Sequence, residues 1–117
     1  MTFRIRITDV DYAPDELYEQ VPFEATLLRE ISGQDRSDYW LAQLASPLRW
    51  HKDDNVIQVT HVVLAARWVG GKICSTMLRT PVNISYVVNP EVLSDTSLDF
   101  HKCAYVAIGT ADAVVAV

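Results

Sequence analysis

Apolar and polar side chains alternate along much of this chain, which is the pattern of strands that bury one face. Residues 3–7 alternate in this way, and in residues 82–88 the apolar side chains alternate with Asn83 and Ser85. The run 56–68 is instead apolar at both parities over much of its length, which predicts a central strand covered on two faces. A further apolar run at 103–109 returns the chain to the sheet. Strands are therefore the main predicted elements.

The segment 39–88 predicts three long strands joined by two tight turns. In the first strand the apolar residues share one parity, which places Trp40 and Trp50 on the same inward face. Pro47 is expected at a bulge or an edge, because proline has no N–H to donate to the ladder. An Arg-Trp pair ends the first strand, and a second pair at 67–68 ends the next. The tryptophans are thus predicted to anchor the core near strand ends.

Turn-forming residues separate these strands. Polar residues fill 51–55, and the Gly70-Gly71 pair suits a hairpin because glycine accepts the positive φ that such turns require. The segment 9–16 is predicted to be a loop, and 90–95 a short helical turn. The apolar tail 113–117 is expected to add an edge strand.

Two segments are open to either strand or helix. For 16–31 a strand is favoured, and the alternative is a helix that begins at Pro22 and ends at Ser32-Gly33. For 38–45 the alternative to a strand is a short helix capped by Ser37.

The fold class follows from this list of strands. A chain of 117 residues is long enough for one domain with its own core, so residues 1–117 are taken as a single β-rich domain. We predict an all-β (or β-rich α+β) fold, an antiparallel sandwich or small barrel of about six or seven strands with at most short helices.

Composition narrows the setting. The first residues alternate charged with apolar side chains and contain no signal-peptide core, and the longest apolar run is far too short to span a bilayer. Two cysteines do not make a disulfide scaffold. These features predict a cytoplasmic protein with no membrane partner.

Charge bears on the choice of partner. The net charge is −5, and residues 1–35 carry three basic and eight acidic side chains. Residues 36–79 carry six basic and three acidic side chains. Tryptophans and arginines lie close together in this segment, and this combination is suited to stacking on single-stranded nucleic acid. Because a nucleic-acid binder needs a net basic face, the acidic total makes nucleic acid an unlikely partner.

Candidate chemistry is sparse. His101-x-Cys103, with His61 and Cys74, offers imidazole and thiolate ligands of the kind zinc prefers, but no Cys-x-x-Cys or His-x-x-x-His spacing accompanies them. No nucleophile elbow or phosphate-binding glycine motif is present. We therefore predict no metal site, no cofactor and no catalytic residues, and we favour a protein that is not an enzyme.

Protein binding is the leading functional hypothesis. Acidic residues and tyrosines crowd one region, a combination that suits a basic protein partner because opposite charge speeds encounter and tyrosine supplies contact area. The candidate contact residues are Asp11, Tyr12, Asp15, Glu16, Tyr18 and Glu19. An inhibitor or immunity protein that neutralises a basic partner would fit this description.

The alternative hypothesis is a small-molecule-binding β-barrel or small enzyme. Its pocket would gather aromatic and polar side chains from several strands, namely Trp40, Trp50, His61, Arg67 and Tyr86. Self-association into a homo-oligomer through exposed sheet edges is also predicted.

Overall fold

The computed structural model describes residues 3–31, 38–52, 54–68, 73–87 and 103–114. In chain order its elements are β1 (Phe3–Asp11), α1 (Asp15–Tyr18), β2 (Phe23–Ile31), β3 (Tyr39–Lys52), β4 (Asn55–Ala66), β5 (Thr80–Val87) and β6 (Cys103–Ala113).

The six strands form one closed antiparallel barrel, in which each strand pairs with the next and β6 pairs back onto β1. The predicted all-β fold is confirmed, and closure selects a barrel over a sandwich. Among the described residues the helix content is a single turn, α1. Of the two segments that were open to a helix, 16–31 is helical at its start, in α1, and becomes strand β2 directly after Pro22. The other segment, 38–45, lies in strand β3 from Tyr39 onward.

The barrel interior is filled by alternate residues from every strand, as the period-two pattern requires. The largest inward side chains that are fully buried include Ile5, Ile7, Leu27, Leu64, Ile84 and Tyr86. In β4, Val62 to Ala66 are buried consecutively. This confirms the prediction that β4 is covered on two faces. A second buried cluster, which includes Leu41, Val63 and Ala65, lies on the opposite side of the wall from the main core.

The predicted turns differ in their outcome. Lys52 pairs with Asn55, so β3 and β4 are joined by the expected tight turn. The second turn is not tight, because β4 ends at Ala66 and β5 begins only at Thr80. Residues 69–72, where the glycine pair was placed, lie outside the described residues.

The prediction that Trp68 anchors the core is wrong. Its side chain is 67% exposed, and the Arg67 guanidinium lies 4.8 Å from its ring centroid. The physical reason is that Trp68 follows the last paired residue of β4, so strand parity no longer determines where its side chain points. Trp50, which is still within the β3–β4 ladder, packs against the core as predicted.

Two further predictions, the edge strand at 113–117 and the helical turn at 90–95, lie partly or wholly outside the described residues. Ala113 ends β6, and the Val114 N–H donates to the Arg4 carbonyl, so the chain is hydrogen-bonded up to this point. Residues 115–117 and 90–95 lie outside the described residues. Closure pairs each described strand on both sides along part of its length, which leaves less unpaired edge than an open sheet would have, and self-association stays a prediction. Within the described chain, no helix has the length and apolar character needed to cross a bilayer.

Candidate functional site

The candidate site lies at the end of the barrel where β1 finishes and α1 begins, which we call the α1 end. Here β3 extends beyond its neighbour β2. The β2–β3 ladder ends at the pair Ala25–Leu44, whereas β3 continues to Lys52 in partnership with β4. This half of β3 therefore needs hydrogen-bonding partners other than strand β2.

Side chains from the β1–β2 connection supply those partners. The Arg49 N–H donates to Gln20 Oε1 at 2.8 Å, and Gln20 Nε2 donates to the Arg49 carbonyl at 3.0 Å. The His51 N–H donates to Glu16 Oε1 at 2.9 Å. Two polar side chains thus take the place of a neighbouring strand along the edge of β3.

The α1 turn is held against the barrel by apolar contact as well. Leu17 is fully buried in the main core, while its N–H donates to the Pro14 carbonyl at 2.9 Å. The Gln20 N–H donates to the Leu17 carbonyl at 3.0 Å, which closes the turn. The β1–β2 connection is therefore attached to the barrel both by the buried Leu17 side chain and by the hydrogen bonds of Gln20 and Glu16 to β3.

A close contact between two side chains completes this attachment. Glu16 Oε2 lies 2.6 Å from His51 Nδ1, and the Glu16 side chain is 26% exposed. Hydrogen bonds from the His51 main chain and then from its imidazole lower the pKa of the Glu16 carboxyl, and partial burial opposes them. Glu16 is therefore turned toward the barrel and is engaged there.

The other candidate contact residues point to solvent. Asp11, Tyr12, Asp15, Tyr18 and Glu19 are all exposed, and we call these five residues the acidic face. Tyr12 is 78% exposed and Tyr18 is 46% exposed. The Tyr12 N–H donates to Asp11 Oδ1 at 3.0 Å, and the Tyr18 hydroxyl makes a long contact of 3.5 Å with the same oxygen. The Tyr18–Asp11 contact sets α1 beside the end of β1, and Asp15 and Glu19 are exposed on the same segment as Tyr18 at the α1 end.

Residues of the alternative pocket are divided between the two ends of the barrel. Trp50 and Tyr86 meet at the α1 end, with ring centroids 5.2 Å apart and planes at 65°. Trp40 lies near the start of β3, at the other end, where its ring is 5.6 Å from that of Phe3. Arg67 also lies at that other end, after the last residue of β4.

His61 does not join the interior group. It pairs in register with Gln43, whose side chain is exposed, and its Nδ1 is 2.9 Å from the Thr60 hydroxyl. Partial burial lowers the pKa of His61. Of the five predicted pocket residues, the structure brings only Trp50 and Tyr86 together.

Tyr86 has an unusual polar environment. Its side chain is fully buried, and among the described residues its hydroxyl has no hydrogen-bond partner. Burial raises the pKa of this hydroxyl to about 12, and the nearby Glu16 carboxylate contributes in the same direction. The group is therefore a neutral, buried donor that the protein itself leaves unused.

A cleft of about 580 Å³ opens in the barrel wall between β2 and β3. One side is formed by residues 22–24 and the other by 45–48, and we call this cleft the window. Four residues of each segment, 21–24 and 45–48, lie between the pair Ala25–Leu44 and the Gln20–Arg49 hydrogen bonds.

Two prolines explain why the ladder is interrupted at the window. Pro22 is three residues before Ala25 and Pro47 is three residues after Leu44, so the continued register places the two prolines opposite each other. Neither has an N–H, and no ladder bond from either residue is available there. The sequence prediction placed Pro47 at an irregularity, and β3 does shift register against β4 between Gln43 and Leu48. The window was not predicted from the sequence, because it depends on Pro22 and Pro47 lying opposite each other, and this requires knowledge of the register between β2 and β3.

Metal binding has no support in the described chain. No three His, Cys, Asp or Glu residues of that part approach one another as a ligand set. The Cys74 thiol lies 3.5 Å from the Thr76 hydroxyl, and the side chains of His101 and Cys103 lie outside the description.

Comparison with known proteins adds no relative. No family model matches the chain, and neither a curated protein nor a solved structure matches it.

Proposed function

We propose that this protein is a non-enzymatic binding domain that recognises a basic protein partner through the acidic face. The observation that supports this most directly is the presentation of exposed tyrosines and carboxylates on a segment that is fixed to the barrel. Gln20 and Glu16 hold that segment by hydrogen bonds to the main chain of β3, and Leu17 holds it by burial.

Fixed presentation matters because binding costs conformational entropy. A mobile acidic loop would lose about 0.5–1.5 kcal/mol for each long side chain that becomes ordered on binding. In this protein the supporting segment is already attached to the barrel wall, so less of that cost falls at the moment of association. Tyrosine adds contact area with few rotatable bonds, as in other recognition surfaces.

The charge of the acidic face determines the kind of partner. Asp11, Asp15 and Glu19 are exposed carboxylates, whereas Glu16 is engaged by His51. Three accessible negative charges around two tyrosines complement a surface rich in lysine and arginine. Such complementarity accelerates encounter and is weakened by salt. An inhibitor or immunity protein acts in this way, by covering a basic site on its target.

The test is binding of a purified partner, first captured from cells with the immobilised protein, to three versions of the chain. The triple variant Asp11→Asn, Asp15→Asn, Glu19→Gln is expected to weaken the affinity by about tenfold or more. The difference should shrink as ionic strength rises from about 0.01 M to about 0.15 M. Glu30→Gln, an exposed carboxylate near the other end of the barrel, is the matched control and should bind like the parent. A partner whose affinity the triple variant leaves unchanged would contradict the proposal.

A second candidate function is favoured by the unused hydroxyl of Tyr86. A small molecule with a hydrogen-bond acceptor, bound beside Trp50 at the α1 end, would satisfy that donor. Screening a metabolite set by thermal shift tests it. A true ligand would stabilise the parent and lose most of that effect in Tyr86→Phe. Equal shifts in both proteins would contradict this function.

A further inference from the structure

The window differs from an ordinary surface depression in its construction. Two stretches of chain run side by side in antiparallel register without forming a ladder, and they are joined again beyond the gap by the Gln20–Arg49 hydrogen bonds. The opening is thus bounded by hydrogen-bonded contacts, with the pair Ala25–Leu44 at one end and the Gln20 side chain at the other.

Its lining is apolar in depth and polar at the rim. Phe23 and Leu48, which are buried in the main core, form the deepest part, and Pro22 and Pro47 form opposing apolar sides. At the rim, the Arg6 guanidinium lies 3.9 Å from the Glu24 carboxylate, so the two charges there offset each other. The site therefore favours an apolar group and adds no net charge of its own.

The prolines also exclude one mode of binding. A partner strand that extends the sheet needs main-chain N–H donors along the exposed edge. Pro22 and Pro47 have none, so strand addition cannot propagate through the window. Contact by an inserted side chain remains. A cleft of about 580 Å³ has room for the largest side chain, tryptophan, together with part of its own backbone.

The acidic face lies next to the window along the chain. Glu19 belongs to the acidic face, and Gln20, the next residue, lines the window. A partner segment that places cationic side chains on the acidic face is thereby positioned to insert a neighbouring residue between the prolines. Protein interfaces concentrate most of their binding energy in a few anchor residues that fill desolvated pockets, and the surrounding contacts exclude water.

We propose that the window receives an apolar, preferably aromatic, side chain from a lysine- or arginine-rich segment of the protein partner. This inference rests on the proposed function, and it specifies the chemistry of the partner: one anchor residue flanked by cations. The acidic face attracts the cationic side chains of the segment, and the window determines which residue is accepted at its centre.

The experiment uses two acetylated, amidated pentapeptides, Lys-Lys-Trp-Lys-Lys and the same peptide with serine at the centre, titrated by NMR into the intact chain. The tryptophan peptide is expected to bind about tenfold more tightly, and to shift the amide signals of Ala45 and Ser46 more than the serine peptide does. Ser46→Trp fills the window and should abolish that advantage. Ser75→Trp, at an exposed serine far from the window, should preserve it and is the matched control.

Each result separates the window from the acidic face. If the two peptides bind the parent equally, and the triple variant Asp11→Asn, Asp15→Asn, Glu19→Gln loses this binding, the role of the window is rejected and the proposed function is kept. If the tryptophan peptide still binds more tightly than the serine peptide, and binds the triple variant as tightly as it binds the parent, the proposed function is overturned. Failure of both peptides to bind overturns both. If N-acetyltryptophanamide alone binds as tightly as the tryptophan peptide, the window is a small-molecule site and the partner segment is rejected. The peptide comparison on the parent protein stands even if Ser46→Trp does not fold.

Discussion

The carboxamide of Gln20 bonds to both main-chain groups of Arg49, accepting from its N–H at 2.8 Å and donating to its carbonyl at 3.0 Å. A neighbouring strand residue would make the same two bonds. One side chain from the β1–β2 connection therefore continues the hydrogen bonding of β3 past the point where β2 stops, and it closes one end of the window.

Removing this carboxamide should loosen the α1 end. We expect Gln20→Ala to lower the free energy of unfolding by about 1–2 kcal/mol, because two main-chain groups lose their protein partner while water replaces it only in part. Urea denaturation followed by fluorescence measures the change. Gln58→Ala is the control, since this exposed glutamine lies opposite Arg49 on β4, and its effect should stay within about 0.5 kcal/mol. Equal losses in the two variants would count against the role assigned to Gln20.

Acid should weaken the attachment of α1 through Glu16. The folded protein holds the pKa of this carboxyl below its ordinary value of 4.5. A lowered pKa contributes stability that is present above pH 4.5 and is lost as the pH falls through the folded-state value. The stability difference between the parent and Glu16→Gln should therefore shrink below that pH. Urea midpoints recorded from neutral to acidic pH test this.

The same titration needs a control on the same segment. Glu19 is exposed and belongs to the acidic face, so at neutral pH Glu19→Gln should change the urea midpoint less than Glu16→Gln does. A difference between the parent and Glu16→Gln that does not change with pH would show that the His51 contacts do not stabilise the folded state.

Tyr86 gives a prediction at the opposite end of the pH scale. Tyr86→Phe removes a buried hydroxyl that has no hydrogen-bond partner within the described part of the chain, so it should leave stability unchanged or raise it by about 1 kcal/mol. The raised pKa of about 12, against 10.0 for an ordinary tyrosine, contributes stability that is complete below pH 10.0 and lost as the pH rises through 12. The parent should therefore lose more stability than Tyr86→Phe over that interval. A clear destabilisation of Tyr86→Phe at neutral pH would show that the hydroxyl has a partner in solution.

Gly109 tests how closely β6 packs inside the barrel. A Cβ at this position would lie 2.8 Å from Ile84 Cδ1 and 3.3 Å from the Asp9 carbonyl. We expect Gly109→Ala to destabilise the protein by about 1–3 kcal/mol through overpacking. In an Ile84→Val background the closest atom is gone, so the alanine should cost less. Additive effects in the double-mutant cycle would argue that Ile84 does not limit the space.

Local alternation predicted much of the barrel wall. Residues 3–7 and 82–87 lie in strands, and the doubly apolar run in β4 is covered on both faces, because strand parity is set by the chain itself. The same reasoning failed at Trp68, where pairing ends and parity no longer applies. The pocket hypothesis also grouped Trp40 with Trp50, although the two residues lie toward opposite ends of one long strand and only share its parity.

What the sequence determined by itself is therefore local: strand-forming segments, inward parity, the acidic run and the prolines that interrupt ladders. The tertiary structure decided everything that depends on contacts between distant segments. It closed the sheet into a barrel, turned Glu16 from the acidic run toward His51, and aligned Pro22 with Pro47 across the window. The physical reason is that a side chain's face follows from its own strand, whereas its partners follow from register between strands far apart in the chain.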